Sequence, residues 1–306
     1  MRERLFHPST FIALTLVLSL AASSAAATAA HSAVSKWTVV NQPARLVNGA
    51  PVLFRVTTPK PVTALSANWL GHEIAFSFDA SSKSWFALAG VSLETKPGTY
   101  PIELHADISS LPSAGQPISF EKQVRVQHQS YPRHVVLSVP GRYTAPSPEE
   151  LHEIEQDKET KAEVFKTLSP GREWEGSFAA PVSAEISDVF GAERVFNGSV
   201  QSIHFGLDFR VPGGTSVAAV NSGRVILARP LFYEGNFVVI DHGQGLLTLY
   251  LHLSSFLVKE GDDVSKGQAI GLSGGTGRAT GPHLHLAVRW QGVYLDPQVL
   301  LKLNLP

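Results

Sequence analysis

Five side chains in the last third of the sequence have types and spacings suited to metal-assisted hydrolysis. His204 and Asp208 sit in "IHFGLDFRVPGGT", His252 in "LTLYLHLSS", and His283 with His285 in "TGPHLHLAVRW". Successive side chains of a strand point to opposite faces, so His283 and His285 share one face while Leu284 and Leu286 share the other. The leucines can then enter a core while both imidazoles look into a groove. His204 and Asp208, at i and i+4 along an extended segment, are expected on one side, with Gly206 between them allowing close backbone approach. His252, two residues after Tyr250, again has same-face spacing. His242, in the turn "DHGQG", reads as structural.

A catalytic zinc takes three protein ligands and keeps one position open for water. In a chain with no cysteine the donors available are imidazole and carboxylate. His204, Asp208 and one of the paired histidines would supply three, and water on such an ion has its pKa lowered to about 7. Two histidines remain, able to accept a proton, protonate a leaving amine or bind a developing oxyanion. A structural zinc would be closed by four ligands and would leave that second pair unused.

Rival motifs fail on their surroundings. "GLSGG" at 271–275 matches the G-x-S-x-G nucleophile elbow, but the elbow needs a following helix and then an acid and a histidine. Asp296 follows, and no histidine follows Asp296. "GGTGRATG" lacks the G-K-[ST] of a phosphate loop and leads into a strand, so it reads as the turn that delivers His283. His152-Glu153 and His72-Glu73 open like the zincin helix motif, but Gln156 and Phe76 stand where its second histidine belongs.

The elements that must carry these residues are mostly strands. At 306 residues, with 25 Gly, 20 Pro and many Val, Thr and Phe, the composition favours an all-β chain of one large or two ordinary domains. A net charge of -1 argues against an electrostatic nucleic-acid binder. Arg2 and Arg4, the apolar run "FIALTLVLSLAA" and the Ala27-Thr28-Ala29 site make residues 1–30 a secretory signal peptide, or an N-terminal tether if uncleaved. The run is short of the roughly 20 residues a membrane span wants, so no stable span is expected after cleavage. Residues 37–140, with about seven short strands including "HVVLSV", are expected to form an immunoglobulin-like β-sandwich. Its His72, His105, His128 and His134 show no metal-ligand spacing. Residues 141–173 form a linker with a solvated helix that leans on one of the two domains. Ser147 caps it, with Pro148 at its first position and Glu150 completing a capping box. Residues 174–306 read as antiparallel β, with glycine-rich turns and sheet curvature bringing the histidines together.

This C-terminal part resembles the LytM/lysostaphin family of zinc peptidases, peptidase family M23, which cut peptidoglycan peptides. The likeness runs from about Phe190 to Pro297 through "FGAERVFNG", "HFGLDF", "GTSVAAVNSGRV", "GNFVVIDHGQGLLTLYLHL" and "GDDVSKGQAIGLSGGTGRATGPHLHLAV". The ordered set H-x3-D, Tyr-x-His-Leu and G-P-H-L-H is its most specific part. The resemblance implies that His204, Asp208 and His285 bind zinc and that His252 and His283 form the catalytic pair. It implies a barrel-sandwich hybrid-like fold, a peptidoglycan peptide as substrate, and action in the periplasm or cell envelope. The family often has Phe-Glu after H-L-H, where this chain has Leu286 and Ala287. "EGDDVSKGQAIG" is also similar to biotinyl and lipoyl carrier hairpins, but Lys266 lacks the flanking pattern of a carrier lysine, so that likeness concerns fold only. The alternative reading is a non-hydrolytic regulator that activates a separate peptidoglycan amidase. Relatives of that kind have lost zinc-site residues, whereas this chain keeps all five.

Overall fold

The computed structural model describes residues 36–107, 118–133 and 135–306; residues 1–30, expected to be a signal peptide, and His134 lie outside them. Strands dominate, with two α-helices among the described residues, Pro148–Val164 and Pro297–Leu300.

The N-terminal part is built from two sheets. One orders Thr38–Gln42, Pro51–Thr57, Ser84–Gly90 and Ser77–Asp79. The other orders Leu46–Val47, Ile118–Gln127, Gly98–Asp107, Ala64–Trp69 and His72–Ala75. Phe54 of the first meets Trp69 of the second edge-on at 5.2 Å, and the Trp69 indole donates to Gly90 O at 2.9 Å. The run "SWFALAG" at 84–90 is buried at every position because both of its faces are covered. Its second cover is the C-terminal part: a Cβ on Gly90 would lie 2.6 Å from the Leu295 side chain. One apolar core accordingly runs through both parts of the chain.

Val135–Leu137 does not join either of these sheets, as "HVVLSV" was expected to. It pairs in parallel with Glu193–Phe196, which pairs in turn with Val200–Ile203. A short strand carries little register information of its own, and the edge offered by Glu193–Phe196 decides its place.

Pro148–Val164 starts as its sequence predicts, with Ser147 and Glu150 exchanging the two bonds of a capping box. It buries only Ile154, so side-chain contacts rather than an apolar stripe dock it, and they dock it on the C-terminal part. Asp157 accepts from the Phe232 N–H at 2.6 Å and Lys161 pairs with Glu234. The Arg289 guanidinium sits 4.3 Å from the Phe165 ring.

The main C-terminal sheet is antiparallel and orders Ile186–Asp188, Leu207–Phe209, Leu284–Trp290, Leu246–Leu253, Gly235–Asp241, Gly223–Leu231 and Asp263–Val264. Val293–Leu295 pairs with Leu284–Trp290 as well. Its two faces differ. Leu284, Leu286 and Tyr250 enter the large core. Leu247, Leu249 and Ala287 form a second apolar cluster on the opposite face, against which Val164 and Phe165 pack. The site lies on this second face, at one end of the strands.

Candidate metal centre

Cross-strand register assembles the centre. Asp208 stands directly opposite His285, and Leu251 flanks His285 on the other side. Directly opposed residues share a face, so Asp208 and His285 must look the same way. His204 comes from outside the sheet: after Val200–Ile203 the chain bends through Phe205 and Gly206 before Leu207–Phe209 begins. The bend, not one extended segment, brings His204 over Asp208. It works only because Gly206 has no side chain, since a Cβ there would lie 2.3 Å from His285 Nε2.

Three donor atoms converge. His204 Nε2 lies 3.1 Å from Asp208 Oδ1 and 3.0 Å from His285 Nδ1, and His285 Nδ1 lies 2.8 Å from Asp208 Oδ1. All three residues are buried. Among the described residues this is the one group of its kind placed to hold a metal ion. The N-terminal histidines do not join it: His72 packs on Trp290 at 5.0 Å, and His105 lies beside Ser119.

The donor chemistry fits a cation. His204 Nδ1 is 2.8 Å from Val189 O, a group that can only accept, so this nitrogen carries the proton. In the neutral ring Nε2 is then a bare lone pair facing another acceptor, Asp208 Oδ1. That contact is repulsive unless a positive charge sits between them. Burial pushes the Asp208 carboxyl up, but the His204 and His285 imidazoles beside it outweigh burial and hold it well below the usual carboxylate range. Burial lowers His285 to about 4 despite the Asp208 partner, so its imidazole is neutral at neutral pH, the form that ligates metal.

Arg194 completes the carboxylate's surroundings. Its Nη2 donates to Asp208 Oδ2 at 2.5 Å, while Nε and Nη2 reach Asp188 Oδ2 at 2.9 and 2.6 Å. Oδ2 is thereby occupied and Oδ1 is left for a metal. Sequence reasoning did not single out Arg194 or Asp188. They are six residues apart on either side of a turn, and no simple periodicity pairs such positions.

His283 and His252 lie alongside, with ring centres 4.8 Å apart. His283 Nδ1 donates to Gly281 O and His252 Nδ1 to Thr276 O, each at 2.8 Å, which leaves Nε2 of each ring unprotonated when neutral. His283 Nε2 lies 3.8 Å from Asp208 Oδ1. Burial, then the neighbouring His283 and His285, lowers His252 to about 3.

His252 does not share a face with Tyr250. Tyr250 is in the large core, its hydroxyl bonded to the Val220 N–H and to Thr248. His252 has φ +62, a left-handed conformation unusual for a residue other than glycine, and this turns its ring out toward His283. Alternation alone would have buried it.

The remaining motif residues are structural. Ser273, the serine of "GLSGG", is fully buried, donates to Pro212 O at 2.6 Å and accepts from the Thr215 N–H. His242 is buried between Ser222 O and Thr248, and burial lowers it to about 4.

Comparisons with known proteins place this geometry. Residues 202–297 match peptidase family M23. Over 103 residues, 34% of this chain and 23% of the relative, the sequence is 50% identical to the peptidoglycan DD-endopeptidase ShyA of Vibrio cholerae. Over 95 residues, 31% of this chain and 22% of the relative, it is 43% identical to the DD-carboxypeptidase/endopeptidase Mpg of Neisseria meningitidis. The matched stretch thus spans under a quarter of these two relatives. A crystal structure of a peptidase M23 from Pseudomonas aeruginosa superposes over 84% of this chain and 95% of its own, with a TM-score of 0.62 and 29% identity.

Proposed function

We propose, on the premise that residues 202–297 form a peptidase family M23 domain, that the protein is a zinc-dependent endopeptidase hydrolysing peptide bonds of peptidoglycan in the cell envelope. The observation that carries this reading is the convergence of His204 Nε2, Asp208 Oδ1 and His285 Nδ1 beside a second, unligated imidazole pair. The names of the relatives support peptidoglycan as the substrate. Export through the N-terminal signal segment would bring the protein to the periplasm or envelope, where peptidoglycan is. No helix among the described residues is long and apolar enough to cross a membrane.

His204, Asp208 and His285 would hold the zinc, which when bound supplies a Lewis acid and lowers the pKa of water. The chain's own groups do the rest. The Val189 carbonyl sets the His204 tautomer, and Arg194 keeps Asp208 to a single free oxygen. His283 and His252, their Nδ1 protons tied to backbone carbonyls, present Nε2 to the same space. One can take the proton of the attacking water, and the other can donate to the oxygen of the attacked carbonyl or to the leaving amine once protonated.

Digestion of defined muropeptides by zinc-loaded and chelated protein, with products identified by mass, tests the proposal. Cleavage that depends on zinc supports it. A protein that binds about one zinc yet leaves stem peptides and cross-links intact is the regulator instead.

A further inference from the structure

Arg278 is a cation that forms no ion pair among the described residues, held beside the histidine pair. Its guanidinium carbon lies 4.5 Å from the Phe196 ring centre and 4.6 Å from that of Tyr233. Its backbone N–H donates to Tyr233 O at 2.8 Å, so the residue is fixed at both ends. The acids around it make their ion pairs elsewhere, Asp188 and Asp208 with Arg194 and Glu234 through Oε1 with Lys161; Glu234 Oε2 is buried without a hydrogen bond and acts on Arg278 only at a distance. No ion pair to Arg278 forms among the described residues. Burial destabilises its charge, Tyr233 and Glu234 offset part of that from a distance, and Arg194 adds repulsion. A half-buried guanidinium kept in this state awaits an anion.

Its location says where that anion would sit. Thr276, two residues earlier, accepts the His252 Nδ1 proton, so one short turn places both groups. Arg278 and His252 together line two adjoining cavities, one reaching His204 and His285 and the other reaching Asp208 and His283. A substrate whose scissile bond lies against the histidines brings its neighbouring groups to Arg278. Packing against rings leaves the guanidinium edge, which carries the N–H donors, free for a planar anion such as carboxylate.

We propose that Arg278 binds a free carboxylate carried by the residue on the amine side of the scissile bond, an assignment that rests on the endopeptidase reading above. Chemistry selects the side. The α-carboxyl of the acyl-side residue is the carbonyl under attack, so a free α-carboxylate next to the bond belongs to the amine-side residue. The preferred substrates are peptides that keep this carboxylate, as a D-alanyl–diaminopimelyl junction does. The interior of a glycine bridge does not.

The test uses two synthetic cross-linked stem peptides, identical except that the amine-side residue bears an α-carboxylate or its carboxamide. Binding to the full protein is measured by calorimetry and cleavage by mass. Wild type is expected to bind the acid at least tenfold more tightly than the amide, Arg278→Gln to lose that ratio, and Arg278→Lys to keep part of it. Equal binding of acid and amide by wild type overturns the proposal without recourse to any variant. An Arg278→Gln protein that folds and keeps the wild-type ratio overturns it too. Acid-selective binding without cleavage upholds the subsite while defeating the endopeptidase reading.

Discussion

Asp208 and His285, 77 residues apart in the chain, are direct cross-strand partners, and their facing atoms Oδ1 and Nδ1 lie 2.8 Å apart. The sheet that fixes their separation is rigid because Leu284 and Leu286 are fully buried on its other face. A metal centre whose geometry is set by backbone register should tolerate loss of a ligand without unfolding.

Replacing His204, Asp208 or His285 by Ala is therefore expected to abolish zinc binding and activity together, with the fold retained. Replacing His252 or His283 by Ala is expected to leave about one zinc bound and to lower turnover about a hundredfold or more. Zinc stoichiometry and peptide cleavage on the five variants decide it. A His283 variant that loses its metal while the His285 variant keeps it would show the roles to be reversed.

Gly206→Ala is expected to behave like a ligand mutation although glycine ligates nothing. The new Cβ would meet His285 Nε2 at 2.3 Å and Leu286 O at 2.7 Å, and backbone on one side cannot yield. Zinc affinity measured by chelator competition should fall at least about tenfold, as when a ligand loses its orienting contacts. Wild-type affinity in this variant would refute the account of the bend.

Arg194→Gln should weaken zinc binding by about ten- to a hundredfold, because Asp208 Oδ2 loses its partner and the carboxylate is free to rotate. Arg194→Lys should not restore it, since one ammonium cannot reproduce the planar bridge to Asp188 and Asp208. Full recovery with lysine would mean that charge alone, not geometry, is what Arg194 contributes.

Acid should destabilise the metal-free protein partly through His242. Its folded-state value of about 4 is below the ordinary 6.5, so the unfolded chain binds the extra proton between those limits. Stability is thus complete above about pH 6.5 and declines as pH falls toward 4. Urea unfolding at a series of pH values should show this slope in wild type, and a His242→Asn variant should show a shallower one. Identical slopes would remove His242 as a contributor.

Much of this protein is legible in its residues alone. The absence of cysteine limits any metal to nitrogen and oxygen donors, and the alternation of "HLHL" separates imidazoles from core leucines. Ser147, Pro148 and Glu150 mark the start of helix Pro148–Val164, because capping depends on neighbours a single turn away. These are local relations, carried by atoms a few residues apart.

What the tertiary structure alone decided is nonlocal. Which strand faces which placed Asp208 opposite His285, and which edge was open drew Val135–Leu137 away from the N-terminal sheets. His252 reversed the face that alternation assigns it through one left-handed residue, and period-two reasoning has no means of seeing such a turn. Arg194 and Arg278 carry the same charge, yet one is spent on Asp188 and Asp208 and the other forms no ion pair among the described residues. Electrostatic role depends on distance in space, and chain separation does not encode that distance until the sheet has formed.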